Sequence, residues 1–198
     1  MRAIEASLLQ GSELYREVIL EKLAHARESV RIATANVKDM QVEREGKFGS
    51  VLGLFSELAG RGVALRLLHA ELPSRPFRAS FEKRRRLTAG GLELKICPRV
   101  HFKAVVVDGA WAYFGSANLT GAGLGAKGEG KRNFELGLCT EDFETVDRIQ
   151  ALFDAVWSGA ECASCKLRSI CPDPIGQPER KSLIRLGRAR RFQRVGVY

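Results

Sequence analysis

The chain has 198 residues, 45% of them hydrophobic, and a net charge of +9 from 32 basic and 23 acidic side chains. That length holds one domain and an appendage, with enough apolar material for an ordinary globular core. No run of 18 apolar residues occurs, which excludes a hydrophobic spanning helix. The opening Met-Arg-Ala-Ile-Glu-Ala-Ser lacks the apolar core of a secretion signal, so a cytoplasmic protein is expected.

Ser12 to Ser29 reads as an amphipathic helix: Leu14, Val18, Ile19, Leu23 and Ala26 recur at helical spacing, and Ser12 can cap its start. His25 falls on its polar side. Val30 to Ala35 reads as a short buried strand and Asn36 to Gly49 as a polar loop. Ser50 to Ala59 is a second helix, ended by Gly60 and Gly62. Val63 to Leu68 is a strand with His69 at its end. Leu72 to Pro76 breaks the pattern, Phe77 to Ala89 is a strongly basic helix closed by Gly90 and Gly91, and Leu92 to Ile96 is the next strand. Val100 to Val107 is rich in β-branched residues and runs into Asp108-Gly109, a strong hairpin signal, with Ala110 to Phe114 returning. Thr120 to Lys131 holds five glycines and can cradle or gate a ligand. Asn133 to Cys139 is a strand. Glu141 to Trp157 is a helix with Phe143, Val146, Ile149, Leu152, Phe153 and Val156 on one stripe. The alternation predicts an α/β fold, a mixed central sheet with helices on both faces.

The hairpin concentrates the chemistry. A two-residue turn at Asp108-Gly109 places His101 opposite Ser116 and Lys103 opposite Phe114. Directly opposed residues share a face, with Cβ atoms roughly 5 Å apart. His101 and Lys103 share a face too, because strand side chains alternate. A histidine, a lysine and a serine therefore converge, with Asn118 just beyond and Gly115 allowing backbone to approach a ligand. Asp108 has the wrong parity to face that group and supports the turn.

His101-x-Lys103-x4-Asp108-x6-Gly115-Ser116-x-Asn118 resembles the HKD motif of the phospholipase D superfamily. Asn133-Phe134-Glu135-Leu-Gly is similar to the segment that follows it, and the strand and helix layout matches over about residues 12 to 158. The resemblance implies phosphodiester chemistry on the imidazole, without a catalytic divalent metal. A neutral histidine attacks phosphorus and forms a phosphohistidine, and a second histidine protonates the leaving oxygen and then activates water. Lys103, Ser116 and Asn118 would hold the non-bridging oxygens. Glu135 would fix a histidine tautomer. The family's site uses two motifs and this chain has one, which implies a homodimer with His101 supplied by each subunit. Single-motif members are mostly nucleases.

Much of the basic excess is local. Arg75 to Arg86 carries six basic residues against one acidic, and Glu179 to Tyr198 seven against one. A polyanion partner is expected, nucleic acid first. A lipid phosphodiesterase using the same chemistry is the alternative enzyme, and a binding module with a vestigial site is the third reading.

Cys162, Cys165 and Cys171 follow the last helix. Cys-x2-Cys-x5-Cys in a cytoplasmic protein points to a metal centre rather than disulfides. Three thiolates are one short of the usual four. The helix Glu141 to Trp157 returns to the sheet end that holds His101, where Cys97 lies. Cys139 is roughly 20 Å away along its strand. Cys97 is therefore preferred to Cys139 as the fourth ligand. With Pro172 and a remote upstream cysteine, the triplet resembles the [4Fe–4S] arrangement of Cas4/AddB-type nucleases, which implies a structural cluster. Zinc on four thiolates is the alternative. Pro172, Pro174, Gly176 and Pro178 then break structure, and Lys181 to Arg194 reads as a short basic helix or a solvated tail. The expected division is 1–158, a catalytic domain, and 159–198, a cysteine-rich segment with a basic tail.

Overall fold

The computed structural model of the chain describes residues 2–44 and 46–175. The expected basic helix at Lys181 to Arg194 lies outside them. Nine strands form: β1 (Ser7–Gln10), β2 (Ser29–Thr34), β3 (Gln41–Arg44), β4 (Lys47–Ser50), β5 (Ala64–His69), β6 (Glu93–Ile96), β7 (Lys103–Val107), β8 (Trp111–Gly115) and β9 (Leu136–Thr140). Seven of them make one mixed sheet in the order β1-β9-β8-β7-β2-β5-β6. β2, β5 and β6 run parallel, and β7, β8, β9 and β1 follow as antiparallel neighbours.

The parallel half needs crossover helices, and these lie on one face. The first, α1, is a helical run of three consecutive pieces, Ser12–Leu14, Tyr15–Lys22 and Leu23–His25, the middle one with wider winding. Leu14, Val18, Ile19 and Leu23 are its buried stripe. The second, α2 (Val51–Gly60), starts where Ser50 Oγ accepts the Leu52 N–H at 3.0 Å. The third, α3 (Arg75–Glu82), is capped by Ser74 and carries Pro76 in its first turn. These helices cover Val30, Ile32, Leu65, Leu67, Val105 and Val107. On the opposite face α4 (Phe143–Ser158) lays Val146, Phe153 and Trp157 over Ala33, Leu68, Val106 and Ala112. Arg31, on that face of β2, pairs with Asp154 of α4 at 3.1 Å.

Three elements differ from the sequence expectations. The stretch Asn36 to Gly49 is not a plain loop. β3 and β4 pair in it as a separate hairpin, held to the main body where Val37 bridges Leu119. The basic helix expected over Phe77 to Ala89 is split into α3 and a short helical turn at Leu87–Gly91. The break falls on Lys83 and Arg84, at the start of a run of four like charges that crowd one turn. Finally, β1 had no sequence signal and pairs with β9 as the sheet's edge. Thr140 Oγ1 donates to Glu5 O at 2.5 Å, and Arg2 pairs with Asp142 and Glu144. No helix among the described residues is long and apolar enough to cross a membrane.

Candidate active site

The hairpin forms, in a register one residue away from the expected one. Asp108 and Gly109 both take left-handed conformations, φ 53° and 65°, and Ala110 N donates to Val107 O at 3.0 Å. Ala110 stays in the turn, so Val107 faces Trp111 and Lys103 faces Gly115. His101 is accordingly not opposite Ser116. It precedes the first paired residue of β7 and stands exposed. The convergence still occurs, for a different reason. His101, Lys103 and Ser116 line one open cleft of about 430 Å³ whose other walls are Phe114, Gly115, Leu136, Gly137 and Leu138.

The floor of this cleft depends on two glycines. A Cβ on Gly137 would stand 2.4 Å from the Tyr113 ring, and one on Gly115 would stand 2.6 Å from Leu136 O. Tyr113 fills the space beneath, fully buried, with no hydrogen-bond partner for its hydroxyl. Burial, offset in part by the nearby Ala117 backbone, and then the Glu135 charge, push its pKa up to about 12. The two glycines let the strands close over the Tyr113 ring, which supports the cleft from below.

Around the rim, Lys103 Nζ donates to the His101 carbonyl at 2.7 Å and so ties the histidine's own backbone to β7. Ser116 Oγ donates to Glu135 and accepts the Leu136 N–H at 3.2 Å. Asn133 Nδ2 holds the other Glu135 oxygen at 3.1 Å. Within one chain the Glu135 carboxylate is engaged by Ser116 and Asn133, and among the described residues of that chain no histidine bonds it. Sequence reasoning assigned no role to Asn133. Its spacing of two from Glu135, which puts both on one side of an extended segment, was the available signal.

Asn118 lies deeper. Its Oδ1 accepts the Ala35 and Asn36 N–H groups, both at 3.1 Å, with Thr34 Oγ1 also at 3.1 Å. The oxygen thus stitches the segment after β8 to the end of β2, and only the amide nitrogen is left for a ligand. Thr34, another residue given no role from sequence, is buried and accepts the Leu119 N–H at 3.0 Å.

Asp108 sits at the far end of the hairpin. Its carboxylate accepts the N–H groups of Arg27, Glu28 and Ser29 at 2.8–3.2 Å. Burial pushes its pKa up. The three backbone donors and the Arg27 charge outweigh that and hold it below the usual carboxylate range. It clamps the turn between α1 and β2 to the hairpin tip.

The other histidines do not reach the cleft. His69 is buried at the end of β5, 1% exposed, with Nδ1 2.7 Å from Glu71 O. Burial holds its pKa below the ordinary value despite that contact and the charge of Asp173. His25 is exposed on α1 with Nδ1 2.9 Å from Glu21 O. Cys97, Cys162, Cys165 and Cys171 are half-buried, and Cys139 is buried on β9. Among the described residues, no group of three or more His, Cys, Asp or Glu side chains is placed to hold a metal ion.

This arrangement matches known proteins. Residues 19–157 match the family profile described as cardiolipin synthase, PLD-like domain. No curated protein matches the chain. Among solved structures, the chain is similar to NucT from Helicobacter pylori, with 16% identity, a TM-score of 0.55 and coverage of 77% of this chain and 94% of that one. It is also similar to Nuc, a phospholipase D family member from Salmonella typhimurium, with 17% identity, a TM-score of 0.54 and coverage of 77% and 95%. TrmBL2, an archaeal chromatin protein, follows at 14% identity and a TM-score of 0.52, covering 79% of this chain and 54% of its own. At such identities the structures establish the fold. The family profile spans well over half of the sequence and coincides with the cleft's carriers, so the chain belongs to the cardiolipin synthase, PLD-like domain family.

Proposed function

We propose that this protein hydrolyses phosphodiesters of nucleic acid through His101, as a homodimer. The observation that carries the reading is the cleft itself: an exposed imidazole that lines one open cleft with Lys103 and Ser116. His101 Nε2 attacks phosphorus, forming the N–P bond as the bond to the leaving alcohol breaks. The second histidine protonates the departing alkoxide. Water, deprotonated by that same histidine, then cleaves the N–P bond and releases the phosphate monoester. Lys103 stabilises the charge that develops on the phosphoryl oxygens.

One chain supplies one such histidine, because His25 and His69 are held elsewhere. The second comes from a second copy. The surface beside the cleft is suited to that partner: Leu8, Phe134 and Leu136 are exposed there, and Phe114 and Leu138 line the cleft wall. Nucleic acid is favoured as the substrate because cations border the site. Lys38 is exposed at the base of the β3–β4 hairpin, whose next backbone bonds join Leu119. Lys127 and Lys131 are exposed on the glycine-rich loop after Asn118. An archaeal chromatin protein described by its mode of DNA binding, among the structural neighbours, is consistent with this reading.

The test is cleavage of labelled single- and double-stranded DNA and RNA in excess EDTA, comparing wild type with His101→Ala, alongside sedimentation. Cleavage by a dimer that vanishes in the variant supports the proposal. Activity from a monomer overturns the shared site. Cleavage of phosphatidyl substrates with none of nucleic acid overturns the substrate class and selects the lipid reading.

A further inference from the structure

Two cysteine-bearing segments, the end of β6 and the chain after α4, meet near the turn that leads into His101. Lys95 Nζ donates to Trp157 O at 2.7 Å and so fastens β6 to the last turn of α4. Cys97 follows Lys95 by two residues, and its N–H bonds His69 O at 2.9 Å. The chain that leaves α4 turns sharply at Gly159, φ 78°, where a Cβ would lie 3.3 Å from Cys162 Sγ. Cys162 N bonds Gly159 O at 2.9 Å and Cys165 N bonds Cys162 O at 3.3 Å, which coils the first two cysteines into consecutive turns. Arg168 Nη1 then grips Cys162 O and Ile175 O, at 2.9 and 3.2 Å, and folds the Cys171 end back beside the start. Cys171, Cys97 and Cys162 are close enough for their charges to interact, and the charge of Asp173 reaches His69. Cys139 belongs to another neighbourhood, with Glu17 and Lys22.

We infer that Cys97, Cys162, Cys165 and Cys171 form a four-thiolate metal site that fastens residues 159–175 to the turn preceding His101. Three features support it. The segment has almost no apolar burial of its own, and Ile170 is 76% exposed, so packing alone gives it little stability. Its cysteines are spaced as metal ligands are, two of them within one tight turn. The donors are all sulfur, a set that selects zinc or an iron–sulfur cluster over hard cations. The thiols stand as neighbours rather than as a closed shell, and metal binding draws them together with release of their protons. Val100 N bonds Cys97 O at 2.9 Å, so a metal on Cys97 holds the turn that carries His101 to the cleft. The centre positions the histidine and takes no part in the reaction.

The experiment is metal analysis, with an absorption spectrum, of full-length protein prepared without oxygen, compared with Cys97→Ser, Cys165→Ser and Cys139→Ser. About one zinc per chain, or about four irons with absorbance near 400 nm, supports the site, and the two signatures separate the metals. Cys97→Ser and Cys165→Ser should lose most of the metal, and Cys139→Ser should keep it. Alkylation of the folded wild type gives an independent readout: four thiols should become reactive when a chelator is added. Wild-type protein without metal, whose thiols react equally with and without chelator, overturns the site. Retention in Cys97→Ser with loss in Cys139→Ser overturns the assignment of the fourth ligand.

Discussion

Asp108 is the motif residue whose part is most open to direct measurement. Replacing it with Asn keeps the shape and the tolerance for φ 53° but removes the charge. Replacing it with Ala also removes the acceptor and adds the cost of a left-handed alanine, on the order of 1 kcal/mol. The carboxylate accepts the backbone N–H groups of Arg27, Glu28 and Ser29. Hydrogen bonds to a charged group contribute about 1.5–3 kcal/mol when protected. Two of these donors are exposed, so the discounted total is about 2 kcal/mol. Asp108→Asn should therefore cost about 1–2 kcal/mol and Asp108→Ala about 3 kcal/mol in urea unfolding at pH 7. The pH dependence has a definite sign. The folded pKa lies below the unfolded value of about 3.9, so the carboxylate's stabilisation is complete above roughly pH 5. It is lost as the pH falls through 4 towards the folded pKa, and the gap between wild type and Asp108→Asn should close over that range. The folded fraction of either variant should keep its turnover. A variant of unchanged stability but without activity would refute the argument and place the carboxylate in the chemistry.

Two further substitutions test the frame of the cleft. Asn118→Ala removes the acceptor of two half-buried backbone N–H groups and should cost about 2–3 kcal/mol in chemical denaturation, with activity falling because the end of β2 is released. A stable variant that loses only affinity for substrate would instead assign Asn118 to the ligand. Gly137→Ala forces a methyl against the Tyr113 ring and should cost about 1–3 kcal/mol. Much of that loss should vanish in a Tyr113→Leu background, and additive losses would show that the clash lies elsewhere.

The helices and inner strands were legible because their apolar residues repeat at one period and their partners lie nearby in sequence. Leu14, Val18, Ile19 and Leu23 marked α1, and the β-branched run marked β7. The hairpin's existence was legible from Asp108-Gly109, but its register was not. Whether Ala110 joins the strand or the turn is decided by the Asp108 clamp to residues 27–29, more than seventy positions away in sequence. The same holds for the cleft. His101, Lys103 and Ser116 were named from sequence and do line one cavity. The engagement of Glu135 by Asn133 and Ser116 depends on where β9 leaves the sheet, which no local pattern encodes. β1 escaped notice because four residues pairing with a strand far along the chain carry no periodic signature.

That edge strand has a consequence for how the protein is made. On a growing chain Ser7–Gln10 is made long before its partner β9. Closing so long a loop costs on the order of 4 kcal/mol in chain entropy before any contact repays it. Ser7–Gln10 therefore waits on the ribosome without its partner, and the sheet assembles from β2 and β5 outwards, a hypothesis on folding order that pulse-labelled hydrogen exchange can check. A nascent chain halted before Leu136 should leave Ser7–Gln10 unprotected, whereas β2 and β5 should already resist exchange.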